Sequence, residues 1–290
     1  DPYWAFDTAV KSVTVAVGQT AEATFTNTHY GRIEIRKTTN TGNQLGGWAF
    51  RVRDSEGNSY GDFTTDDNGY ACTGNLPLGR YTVVELPTED NYWLTELGFH
   101  DVTVKAGETT VDTWLNKEQG LVWFYKKTNT GESVEGWHIT VYLDEACTQK
   151  VGTLITNEDG RAGYYLDPGT YWAKETGDEH GRFEDEYWMV DETVQKFEIK
   201  PHEDVSITFT NVQYGKLKVV KTVQGDASLE GWQFKITDAE GKVLDGSPFA
   251  TDEDGIILTG NLLPGTYTVE ELLPEDSLYE CKGDNPQTVT

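Results

Sequence analysis

The side chains with reactive potential in this sequence are lysines, asparagines and glutamates set where apolar residues belong. Asn27 and Lys37, Asn116 and Lys126, and Asn211 and Lys221 are each ten residues apart. The stretches that hold them read TFTNTHYGRIEIRK, TWLNKEQGLVWFYK and TFTNVQYGKLKVVK, each a strand-like run to Asn, a joint with a Gly, and a strand-like run to Lys. Alternation at period two places Ile33 and Ile35 on the face of Lys37, Val122 and Phe124 on that of Lys126, and Leu217 and Val219 on that of Lys221. Phe25, Trp114 and Phe209 share faces with Asn27, Asn116 and Asn211 in the same way. A third polar group is carried inward on later strands, Glu85 with Tyr81 and Val83, Glu175 with Tyr171 and Ala173, Glu271 with Tyr267 and Val269. Such residues are rare on core faces. Burial disfavours a charged amine, by up to about 3–5 pKa units for a fully buried group, and pushes a carboxyl the other way. A neutral amine is a nucleophile, and a carboxyl can hand one proton to an amide while taking another from the amine. Groups held in contact react with effective molarities on the order of 10⁵–10⁸ M in favourable cases. The chemistry open to these residue types is therefore a single condensation of lysine with a primary amide, releasing ammonia.

The elements that must position these groups recur in a fixed order. After the Lys strand comes a turn, then GW with an alternating strand: GGWAFRV, EGWHITV and EGWQFKI. A polar hairpin turn follows (TTDDNGY, ITNEDGR, ATDEDGI), then a bend and a strand closing on Glu (LGRYTVVE, PGTYWAKE, PGTYTVEE). Residues 1–30 align without gaps on 90–116 and on 185–211, so they read as the closing strands of an upstream repeat. Repeat one then spans 31–118, repeat two 119–214 and repeat three 215–290, the last without the strand that would carry its Asn. Periods near ninety residues are too long for a solenoid unit and suit a string of small sandwiches.

Composition agrees. The strands, the Gly/Asp/Asn turns and 12% aromatic residues indicate an all-β protein of tandem prealbumin-like or Ig-like sandwiches arranged end to end. A net charge of -26, spread along the chain, argues against nucleic acid and anionic membrane as partners. No apolar run is long enough to span a bilayer. The three Cys (Cys72, Cys147, Cys281) fall one per repeat, which does not suggest a disulfide framework, and Cys72 reads as a small hydrophobe.

The opening G-x-[LIV]-x-[VIF]-x-K, the hairpin T-[DN]-x-[DN]-G, the strand Y-x-x-x-E and the close T-F-T-N resemble the SpaA-like or CnaB prealbumin-type domain of Gram-positive surface proteins. The resemblance runs in register through the whole chain. In that family the opening Lys and closing Asn join in an intramolecular isopeptide bond assisted by the Glu. Carried over by position, it implies Lys37–Asn116 with Glu85, and Lys126–Asn211 with Glu175. Repeat three supplies Lys221 and Glu271 without an Asn, and residues 1–30 supply Asn27 alone. Two departures stand out: the Glu strands lack the continuation E-T-x-A-P-x-G-Y, and Asp112 replaces an apolar residue beside Trp114. The implied location is the extracellular, cell wall-attached surface of a Gram-positive bacterium.

Other chemistries have less support. The Asp/Asn-rich turns resemble parts of a calcium loop but lack its downstream bidentate Glu, and such turns need no metal. The five His (His29, His100, His138, His180, His202) show no ligand spacing and read as solvated strand or loop positions. Neither a cofactor nor a metal is expected, and nothing indicates a turnover enzyme. The Trp of GW (Trp48, Trp137, Trp232) could line a carbohydrate site, though recurrence in every repeat suits a core or inter-repeat role better. Two functions stay open: a structural stalk or pilus shaft, or an adhesin binding a host protein or glycan through loops. The acidic stretch 176–186 (TGDEHGRFEDE) is the first suspect for such a ligand. Residues 16–30 also match in type the strand that repeat three lacks, so strand exchange with another copy is one reading of the two ends. A longer chain with flanking strands is the other, favoured because residues 1–14 duplicate strands that repeat three already has.

Overall fold

The computed structural model describes residues 2–273 and 280–290 and is built of β-strands with one 3-10 turn, Arg182–Glu184. Repeat one forms two four-stranded sheets. In the first, Arg32–Thr39 lies between Tyr70–Cys72 and Thr109–Glu118, and Trp93–Leu94 closes the far side. In the second, the order is Ser59–Thr64, Ala49–Asp54, Gly79–Glu85, His100–Val104. Ile33, Ile35, Phe50, Val52, Val83 and Trp114 fill the space between and are fully buried. Repeat two has the same two orders, built on Gly120–Thr128 beside Asp204–Gln213, and on Trp137–Tyr142 beside Gly169–Asp178.

By backbone proximity the chain divides into two compact units. One comprises Asp1–Leu121 with Tyr165–Gly169 and Glu198–Asp204, the other Val122–Tyr164, Thr170–Phe197 and Val205–Thr290.

Repeat three departs from this pattern on one side. Among the described residues Lys218–Val220 pairs only with Ile256–Leu258, while the second sheet keeps four strands. A groove lined by Leu217, Lys221, Trp232, Phe234, Glu271 and Cys281 lies where the other repeats have their last strand.

Residues 2–30 carry little regular pairing. Only Trp4–Ala5 and Thr28–His29 pair, and Val10, Val17 and Phe25 are exposed. The alternation is present in the sequence, but a ladder also needs partner strands, and none lies beside this segment among the described residues.

Candidate functional site

The placement of the reactive groups follows from one pairing. Arg32–Thr39 and Thr109–Glu118 run parallel, with Lys37 opposite Trp114. Asn116 is two residues further along, on the same face as Trp114, so it is the diagonal neighbour of Lys37 across the ladder. Glu85 enters from the facing sheet at the end of its strand. Its Oε1 accepts from Lys37 Nζ at 2.6 Å and from Asn116 Nδ2 at 2.9 Å. One carboxylate oxygen thus touches both the prospective nucleophile and the prospective leaving group. The side chains of Lys37 and Glu85 are 0% and 2% exposed, and Asn116 is fully buried.

Repeat two repeats the arrangement. Lys126 Nζ lies 2.5 Å from Glu175 Oε1, with both side chains 0% exposed and Asn211 fully buried. That approach is off-axis for a hydrogen bond, and Asn211 Nδ2 has no hydrogen-bond partner either. Burial lowers the Lys37 amine and raises the Glu85 carboxyl, with the mutual contact opposing both shifts. Burial likewise brings Lys126 down to about 8 and raises Glu175. Both directions favour the amine and the acid over the ion pair, as condensation requires. In repeat three Lys221 Nζ sits 2.5 Å from Glu271 Oε1, and the Cys281 thiol donates to Glu271 Oε2 at 3.3 Å. Asn27 is exposed and is not brought to a Lys–Glu pair.

Two sequence motifs hold the lysine. In the polar turn, Asp66, Asn157 and Asp252 each accept two backbone N–H groups of their own turn. The turn ends in Gly69, Gly160 or Gly255, whose carbonyl accepts the N–H of Lys37, Lys126 or Lys221 at 2.7 Å. Gly69 has φ +74, and a Cβ there would fall 2.4 Å from the Lys37 carbonyl oxygen. Only glycine allows that approach. The Trp of GW covers the amine: Lys37, Lys126 and Lys221 Nζ lie 4.7, 4.5 and 4.0 Å from the ring centroids of Trp48, Trp137 and Trp232. The indole N–H groups donate to the carbonyls of Gln44, Ser133 and Ser228. Trp48 and Trp137 are buried roofs over the lysines, and the carbohydrate reading of this Trp finds no support in their placement.

A further set of residues was not legible beforehand. The Asn carboxamide oxygen accepts a backbone N–H from the residue twenty positions upstream in all three copies: Asp7 to Asn27 at 3.1 Å, Glu96 to Asn116 at 3.1 Å, Asp191 to Asn211 at 2.7 Å. The signal was an acid at a constant distance before each Asn.

The departure at Asp112 has a local explanation. Asp112 is buried, accepts the Trp114 indole N–H at 2.8 Å and pairs with His100 at 2.7 Å. His100 also reaches Glu96 at 3.2 Å and stacks on Trp114. His202 pairs with Asp90 and Glu118, each at 2.8 Å. At these two positions the reading of the histidines as solvated is wrong. Burial lowers the His100 pKa, but Asp112 and then Glu96 outweigh it and the net shift is upward. A raised folded-state pKa gives stability that is complete below the unfolded value and is lost as pH rises through the folded one. The His100 contribution to the urea midpoint of repeat one should accordingly be complete below about pH 6.5 and be lost as pH rises further, and His100→Gln should remove that loss. An unchanged slope in His100→Gln would remove His100 from the account.

The acidic stretch 176–186 is latched inward. Asp178 accepts from Arg182 Nε, Phe183 N and His180 N, while Arg182 donates to the Ser133 and Glu135 carbonyls and lies 4.7 Å from the Trp137 ring centroid.

Comparison with known proteins gives a consistent picture. The profile of the SpaA prealbumin-like fold domain matches residues 31–118, 122–213 and 215–289. No curated protein sequence matches. Among solved structures, the Bacillus anthracis TIE protein is 25% identical, with 88% of this chain and 48% of that chain covered and a TM-score of 0.37. The chain spans about half the length of that protein. A Streptococcal ancillary pilin is 17% identical over 89% of this chain and 94% of its own, TM-score 0.33. BcpA, the major pilin subunit of Bacillus cereus, is 14% identical over 89% and 94%, TM-score 0.35.

Proposed function

Because the chain belongs to the SpaA family of prealbumin-like fold domains, we propose that it is a structural segment of a Gram-positive surface stalk or pilus-type shaft. Each complete repeat is locked by its own Lys–Asn isopeptide bond, Lys37 to Asn116 and Lys126 to Asn211. The observation that carries this reading is the convergence of Lys37 Nζ and Asn116 Nδ2 on one oxygen of buried Glu85. Ordinary buried ion pairs are costly to desolvate, and an amide set beside the same carboxylate is what condensation needs in addition. The protein acts once on itself and turns over no substrate. Its location is extracellular, on the cell wall.

The stalk is preferred to the adhesin because the one elaborated loop, 176–186, is fastened to the repeat's own Trp137 turn rather than presented outward. Among the described residues no helix is long and apolar enough to cross a membrane.

Intact mass of the purified protein tests the bonds. It should fall below the sequence mass by two molecules of ammonia, and Glu85→Ala or Glu175→Ala should each restore one. A mass equal to that of the bare sequence would remove the cross-links from the account.

A further inference from the structure

We propose that Glu96 and Asp191 are positioning residues of the condensation, their backbone N–H groups stabilising the oxyanion on Asn116 and Asn211 while their carboxylates hold the Asn-bearing strand in place. This rests on the cross-linking reading above.

The geometry is the same in every copy. The N–H groups of Asp7, Glu96 and Asp191 donate to the Asn Oδ1 at 3.1, 3.1 and 2.7 Å. The carboxylate of the same residue accepts the N–H of the residue just before the Asn: Thr26 at 3.3 Å, Leu115 at 3.1 Å, Thr210 at 3.1 Å. The separation of twenty is constant although the segment around it is not. Glu85 and Asn116 are 31 residues apart, whereas 36 separate Glu175 and Asn211. The extra five residues fall before the acid, so the acid-to-Asn unit is kept whole. The clamp also forms at exposed Asn27, where Lys11 pairs with the Asp7 carboxylate and no buried Lys–Glu pair lies beside it among the described residues. The contact that orients the Asn thus does not depend on the Lys–Glu pair.

The chemistry gives this contact a task. The lone pair of neutral Lys37 Nζ adds to Cγ of Asn116, and the C=O pair moves to Oδ1 as negative charge develops there. Glu85 gives its proton to Nδ2 and takes one from the new Nζ–Cγ ammonium. The Cγ–Nδ2 bond then breaks, ammonia leaves, the Oδ1 pair restores the carbonyl, and Glu85 ends protonated as it began. With Glu85 directed at Nζ and Nδ2, the donor facing Oδ1 is the Glu96 N–H. A fixed donor aimed at developing charge in a dry site is commonly the largest single catalytic contribution, and removing one costs about 10²–10³ in rate. Beside the larger effect of burial, the negative charges of Glu96 and Asp191 raise the Glu85 and Glu175 carboxyls, which favours the loaded proton donor. They raise the Lys37 and Lys126 amines as well, which opposes the nucleophile, so these carboxylates serve the strand and not the proton balance.

The test follows ammonia loss by intact mass in the full chain, made by cell-free synthesis and quenched in acid at intervals. Asp191→Pro removes the N–H. One ammonia should leave at the wild-type rate from repeat one, and the second roughly 100–1000 times more slowly. Asp191→Ala keeps the N–H but frees the strand, and should be slowed less. Asp191→Asn keeps an acceptor for Thr210 N and should recover most of the rate. Glu96→Pro should reverse which repeat is slow. Circular dichroism checks that each variant is folded, and if the Pro variants fail to fold, the Ala and Asn pair decides. A folded Asp191→Pro protein that loses both ammonia molecules at the wild-type rate overturns the proposal, as do Ala and Asn variants of equal rate. Absence of ammonia loss from the wild type would instead overturn the cross-linking reading itself, so the two failures are distinct.

Discussion

Loss of the cross-link in Glu85→Gln is expected by itself to lower the melting temperature of repeat one by roughly 20–40 °C, and in Glu175→Gln that of repeat two by a similar amount. The bond between Lys37 and Asn116 would close a loop of 79 residues, and that between Lys126 and Asn211 one of 85. A covalent closure of that length restricts the unfolded chain by about 4–5 kcal/mol in the chain-entropy account. For a domain of this size each kcal/mol moves the midpoint by about 4–8 °C. Glutamine preserves the volume of the buried side chain but can neither load nor release the proton. It also leaves Lys37 without its partner carboxylate, a separate penalty of about 3–5 kcal/mol where a buried charge is uncompensated. The double change Lys37→Met with Glu85→Gln removes that second contribution, so the difference between the wild type and the double variant reports the cross-link, and that between the single and double variants reports the unpaired lysine. Scanning calorimetry should show repeat three, which neither substitution touches, melting at the same temperature throughout. If the Glu85→Gln transition coincides with that of the wild type, no cross-link was holding repeat one.

What could be read from the sequence, and what could not, divides along the range of the interactions. Alternation is local, so the inward placement of Lys37, Asn116 and Glu85 was legible, and the structure brings these three together. The parallel register that makes Lys37 and Asn116 diagonal neighbours pairs segments some eighty residues apart, and no local pattern encodes it. Asp112 looked like a defect because its compensation, His100 and the Trp114 indole, depends on how two strands meet. Glu96 and Asp191 lie in irregular segments with no periodicity to mark them, so only the constant spacing to Asn could have drawn notice. The polar turn was legible as a turn, but its pinning of the Lys37 backbone through the Gly69 carbonyl required the tertiary contact. The alternation within residues 2–30 describes a disposition that only a neighbouring strand can satisfy, and Trp4–Ala5 with Thr28–His29 is the pairing present there among the described residues.

The largest effect should appear under load. Tension enters a repeat at the N-terminal end of Arg32–Thr39 and leaves at the C-terminal end of Thr109–Glu118, and these strands are adjacent and parallel. Force on them shears the ladder along its length, so without a bond the whole set of hydrogen bonds must fail together. With Lys37 joined to Asn116, the load passes from one strand to the other through covalent bonds, and the loop of 79 residue steps between them cannot extend at all. A chain held at its two ends in a single-molecule experiment should therefore show extension from repeat three but none from within the two cross-linked loops. Glu85→Ala should add one step of about 260–280 Å, the fully extended length of 79 residues at about 3.3–3.6 Å each. Glu175→Ala should add a slightly longer one, from 85 residues. The step length counts residues, so it identifies which loop has opened. Wild-type molecules that release the full contour of all three repeats would show that the strands are held by hydrogen bonds alone, and the stalk would then have to bear its load in some other way.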